Sequence, residues 1–176
     1  MKRCLLALIF LVTLFSQGVA QSADKLFLAA AVKKLRDSKE YTLKVARLMP
    51  AADYGFQPPV PEEMSFAGQL LHLSQNTGWL TSSYLKGEAN PVSKSEMRLT
   101  QKDSVIAVLT RVYDYALDAL ERFPADDLKS EVSFFAGPMN KLQIINLLND
   151  HQTHHRAQLL VYLRLKGIKP PDYVGW

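Results

Sequence analysis

Cysteine is almost missing from this chain of 176 residues: the one thiol is Cys4. Its neighbours place it in a segment with the composition of a secretory leader. Met1-Lys2-Arg3 is a short positive start, Cys4 to Phe15 is a nearly unbroken apolar run, and Ser16-Gln17-Gly18-Val19-Ala20 ends in small residues. The run is too short for a comfortable membrane span, which needs about 20 apolar residues. A lipid-modified cysteine would follow such a run, whereas Cys4 opens it, which argues against a lipoprotein. Cleavage after Ala20 leaves a mature domain at 21–176 with no disulfide, no thiolate nucleophile and no thiolate ligand. A metal site there has to use His, Asp or Glu. The expected location is periplasmic or extracellular, with no stable membrane insertion once the leader is gone. An uncleaved anchor is the alternative.

Glycine and proline are few, eight and nine, and clustered, so there is no linker or low-complexity tract. No repeat at solenoid periods is present. Charge of one sign is also lacking. The formal +4 includes Lys2 and Arg3; without them 19 basic residues face 17 acidic ones, net +2. The charges alternate along the chain, and no basic stripe interleaved with aromatics points to nucleic acid.

What is present is helical periodicity in four long segments. The first runs over about Ala23–Leu48 and stops at Met49-Pro50. A Pro-rich connector leads to Ser65, a good N-cap for a second helix over Phe66–Lys86, stopped by Gly87. Thr100, with Asp103 three residues on, reads as the cap of a third helix that ends at Phe123-Pro124. An irregular connector follows, with an extended piece over 131–135. Asn140 caps a fourth helix over Lys141–Lys166, closed by Gly167 and Pro170-Pro171. The aromatic tail, Tyr173 and Trp176, is expected to pack back on the bundle. The fold class is therefore all-α, a four-helix bundle whose long connectors allow crossovers. Pairing of exposed apolar faces into a homodimer is open.

The chain has only four histidines, His72, His151, His154 and His155, and three of them lie within five residues. His151 and His155 share one helical face, one turn apart, the spacing with which two imidazoles hold one ion. The residue after His151 is Gln152, where zinc proteases carry a glutamate base, so that activity is excluded. His72 sits in mid-helix between Leu71 and Leu73 and needs a polar partner. Convergence of the three rings leaves open positions for water or substrate on one divalent ion. The lone-residue readings are blander: a satisfied core histidine for His72, an ordinary surface histidine for His154, which stands at the rim. Gln69, Asn76, Asp150 and Gln158 are candidates to orient a ligand ring, and Trp79 to wall a pocket or to fill the core. No Asp or Glu stands one turn from a ligand as a base, and no catalytic residue is assigned.

The stretch His151-Gln-Thr-His-His-Arg-Ala-Gln158, with Arg164, Gly167 and Pro170-Pro171 beyond it, resembles the C-terminal motif of the DinB superfamily. Ser65 to Leu73, carrying His72, resembles the family's first motif. Ala157 stands where the family often has glycine. The resemblance implies a four-helix bundle with a long crossover and a metal, zinc or nickel, on His72, His151 and His155. Relatives include thiol-dependent transferases and isomerases, hydrolase-like proteins and many without known activity. Four functions follow as expectations: a metal-dependent hydrolase of an unidentified small molecule, with a non-catalytic metal-binding module or a thiol-dependent transferase or isomerase as alternatives, and, more remotely, a noncovalent haem bundle.

Overall fold

The computed structural model describes residues 2–175, with side chains from Ser22 to Gly175. Four helices make the body: α1 (Lys2–Leu48), α2 (Phe66–Leu80), α3 (Lys102–Glu121) and α4 (Lys141–Leu165). Two short strands, β1 (Glu131–Phe134) and β2 (Gly137–Asn140), pair antiparallel between α3 and α4. The leader expected over 1–20 lies outside the described side chains. No helix among the described residues is long and apolar enough to cross a membrane.

α1 packs against α3 and α4, and α2 packs against the same two. α1 and α2 thus occupy opposite corners, and the connector between them crosses the end of the bundle. Tyr54 anchors it: the phenol donates to the Ala46 carbonyl at 2.8 Å and meets the Phe66 ring edge-on at 5.3 Å. Between the four helices lies a continuous core that includes Leu35, Leu70, Leu109, Ile145 and Leu163, each without solvent exposure.

The helix ends follow local chemistry. Ser65 accepts from the Gly68 amide at 3.1 Å, which caps α2. Asn140 and Gln143 form a reciprocal capping box on α4, with both bonds at 2.9 Å, worth about 1 kcal/mol. Gly87 and Gly167 stop their helices at φ of 70° and 71°, a backbone that glycine adopts without penalty.

Three expectations need correction. The cap of α3 is Gln101 rather than Thr100, and no side chain bonds the first turn; Asp103 still lies there, favourably placed for the helix dipole. The second helix reaches Lys86 as expected, but its last six residues, Thr81–Lys86, widen into a π turn. That shift brings Tyr84 edge-on to Trp79 at 5.3 Å. The extended piece is a complete hairpin, because Gly137 at φ of 114° lets Pro138 and Met139 return alongside β1.

Replacing Leu109 by alanine opens a void in this core and is expected to lower the unfolding free energy by about 2–5 kcal/mol. The half-exposed Val161→Ala is expected to change it by less than about 0.5 kcal/mol. Urea denaturation of the two variants measures the contrast, and equal effects would contradict the placement of the core.

Candidate metal centre

α2 and α4 face each other along their length, and each delivers histidine to the shared face. His72 is flanked by the buried Leu71 and Leu73, which fix that turn of α2 in the core. His151 and His155 are held similarly on α4 by the buried Leu148 and Leu159. The i,i+4 spacing then stacks the two α4 rings, with centroids 4.4 Å apart. His72 enters between them at 5.1 and 4.5 Å.

The ligating atoms of all three rings lie within 4.8 Å of one another. The tightest approach is Nε2 of His72 to Nε2 of His151, 3.2 Å. Two imidazole nitrogens bound tetrahedrally at about 2.0–2.1 Å from one zinc ion stand about 3.3–3.4 Å apart. The observed pair is therefore close to the separation that a single ion imposes.

His155 is oriented from behind. Its Nδ1 lies 2.7 Å from Oε1 of the fully buried Gln69. The other end of that amide, Nε2, donates to Glu63 Oε1 at 2.6 Å and approaches the Tyr162 hydroxyl at 3.5 Å. A carboxylate only accepts, so the amide nitrogen must face Glu63 and its carbonyl must face His155. Nδ1 of His155 then carries the proton, which leaves the Nε2 lone pair free for the cluster. Tyr162 completes the anchor by donating to the Met64 carbonyl at 2.7 Å. The nearby Tyr162 hydroxyl, the Met64 amide and the Gln69 amide keep the Glu63 carboxyl below its usual range.

The three rings are held neutral. Burial lowers the pKa of His72, with His154 adding repulsion. Burial and then the neighbouring histidines take His151 to about 3. The same causes, burial first and then His72 and His154, take His155 to about 4. A neutral imidazole offers a lone pair, the form that binds metal.

The remaining candidates separate clearly. Asn76 Oδ1, Gln158 Oε1 and His151 Nδ1 are buried without hydrogen-bond partners, each on a cluster histidine or one turn from it. Asp150 points into solvent, about 100° round α4 from His151, and is not part of the cluster. His154 is exposed, as expected for a rim residue, with its ring edge-on to His155 at 4.8 Å. Trp79 stacks with the hairpin phenylalanines Phe134 and Phe135, at 5.8 and 6.3 Å, and so closes the side of the bundle beside β1. Glu63 was not foreseen from sequence. It lies in the connector before Ser65, outside any periodic segment, and acts through Gln69.

A metal-compatible histidine triad of this build, on the second and fourth helices of a bundle with a crossed first connection, coincides with a match of the DinB family model to residues 22–175. The chain belongs to the DinB family. Two crystal structures share its fold. A DinB-like protein from Bacillus cereus superposes with a TM-score of 0.71 at 20% identity, over 82% of this chain and 95% of that one. A DinB-like protein from Bacillus subtilis gives 0.66 at 18% identity, over 82% and 96%. No curated protein is significantly similar to the chain. The three histidines that the resemblance implies lie together, their ligating atoms within 4.8 Å of one another.

The neutral histidines make stability depend on pH. An unfolded chain protonates histidine near pH 6.5, whereas the folded chain resists until about 4 and 3 at His155 and His151. Below about pH 6.5 the unfolded state therefore binds more protons, and stability falls as pH is lowered toward those values. Urea titrations of the metal-free protein at pH 7 and pH 5 are expected to show this loss, and His151→Gln is expected to reduce it. An unchanged pH dependence in the variant would refute the assignment.

Proposed function

We propose that the protein is an exported metal-dependent protein that holds one divalent ion, zinc or nickel, on His72, His151 and His155, and that it uses this ion to hydrolyse a small molecule. The observation that carries the metal reading is the trio of neutral imidazoles within 4.8 Å, one of them fixed in its ligating tautomer by Gln69. Three protein ligands are the plan of a catalytic rather than a closed structural site. The donor set is all nitrogen, which suits zinc and nickel and does not by itself choose between them.

An ion in this position supplies Lewis acidity, polarising an ester or amide carbonyl and acidifying water. The chain's own residues do the rest. Gln69 and Glu63 hold His155 in register and in the correct tautomer. His154 lies exposed beside His155 at the rim, its ring edge-on at 4.8 Å. Export is supported by the leader-like composition of residues 1–20. It favours hydrolysis over thiol transfer, since thiol cofactors of the cytosol are scarce outside.

One observation favours the second reading, a non-catalytic metal-binding module. Glu63, the carboxylate linked to His155 through Gln69, is engaged by that amide at 2.6 Å and its pKa is lowered. A carboxylate so held is a poor general base.

Protein purified without chelating resin is expected to carry close to one equivalent of zinc or nickel by plasma mass spectrometry. His72→Ala and His155→Ala are expected to lose it. Metal retained in His72→Ala would move the site onto α4 alone and overturn the triad. Gln69→Ala keeps the ligands but frees the His155 ring, and is expected to weaken metal binding by about 10- to 100-fold. Loaded wild-type protein is then screened against esters, amides and lactams. Hydrolysis that disappears in His155→Ala supports the enzyme, while silence with full metal occupancy supports the module.

A further inference from the structure

α4 has a second polar face, turned away from the histidines and toward α1. Arg156 lies there, only 6% exposed. Its Nη1 donates to Ser38 Oγ at 2.5 Å and to Thr42 Oγ1 at 3.4 Å, and its Nη2 to Thr153 Oγ1 at 3.4 Å. The guanidinium also lies over the Tyr41 ring, 5.1 Å from the centroid. These partners are neutral. Among the described residues no carboxylate comes within ion-pair distance of Arg156, although a buried charge without a counterion is costly. The Tyr113 hydroxyl also faces the guanidinium, and of the five N–H groups of Arg156 the Nε–H takes part in none of the hydrogen bonds to Ser38, Thr42 and Thr153. The Nε edge of a guanidinium is one that takes a carboxylate or phosphate in two parallel hydrogen bonds.

The side chain borders a cavity of about 70 Å³ between α1, α4 and the C-terminal tail, with Ser38, Asn149, Thr153 and Lys34 in its wall and Val174 closing it from the tail. The volume is roughly five times what one ordered water needs, room for an oxyanion head but far short of a whole ligand pocket. Among the described residues the wall holds two cations, Arg156 and Lys34, against one carboxylate, Asp37. Asp37 is itself paired with Lys33 at 2.7 Å.

We propose that this cavity is an oxyanion-binding site, in which Arg156 receives a carboxylate or phosphoryl group while Ser38 and Thr153 hold the guanidinium in place. The site is separate from the metal centre, since Arg156 and the cluster histidines leave α4 toward different helices.

The test follows the Arg156 Nε–H signal by proton–nitrogen NMR in the full-length protein, with chelator present so that no anion binds through a metal. Sodium acetate and inorganic phosphate are titrated separately at constant ionic strength. A saturable shift with acetate alone identifies a carboxylate site, with phosphate alone a phosphoryl site, and with both a general oxyanion site; each supports the proposal. Two wall variants that spare the buried network check the location through the same signal. Lys34→Gln is expected to weaken binding about three- to fivefold, and Asp37→Asn to strengthen it by a similar factor. No saturable shift with either anion, or equal affinities in wild type and both variants, overturns the proposal.

Discussion

The hydrogen bond between Gln69 and His155 links the chemistry of the centre to its architecture. A histidine in a bundle core has two tautomers and can rotate, and only one arrangement presents a lone pair to its neighbours. Gln69 removes that freedom because its own amide is fixed by Glu63 at 2.6 Å. Glu63 in turn belongs to the connector that crosses from α1 to α2, and the Tyr162 hydroxyl ties that connector to α4 through the Met64 carbonyl. The loop, both helices and the ring therefore form one closed chain of contacts. A loosened connector would free the tautomer of a residue on another helix.

The same packing explains the neutrality of the rings. Three imidazoles packed this closely cannot all be protonated, because each cation would face two others in a partly dry interface. Burial acts in the same direction. The cluster thus rejects protons and offers lone pairs. This state would be wasteful in a purely structural core, where leucine would fill the space without orphaned nitrogens such as His151 Nδ1.

How much of this was legible in the sequence depended on whether a feature is local. The α4 pair could be read at once, since four residues along a helix is a geometric statement. The caps at Ser65 and Asn140 were legible for the same reason, each being a side chain bonded three residues ahead. His72 needed the additional information that α2 packs on α4, which periodicity suggests and the DinB-like motif supports. Thr100 misled by one position because a capping residue and an acid three residues later are common even where the helix starts later. Asp150 was a candidate by proximity in sequence, yet its direction from the helix carries it into solvent. Glu63 was invisible, as its role passes through Gln69 and its segment has no period to reveal which way it faces.

Arg156 shows the converse case, a residue inside the most recognisable motif whose surroundings no motif describes. Next to His155 in sequence, it faces a different helix and meets an opposite requirement. One face of α4 gathers neutral acceptors that call for a cation; the other buries a cation among hydroxyls and calls for an anion. Both demands arise from the 100° step between successive residues on one helix. Helix α4 thus presents two complementary charge deficits to two separate corners of the bundle. A ligand or ion at either corner would relieve a desolvation cost that the apolar core alone cannot offset.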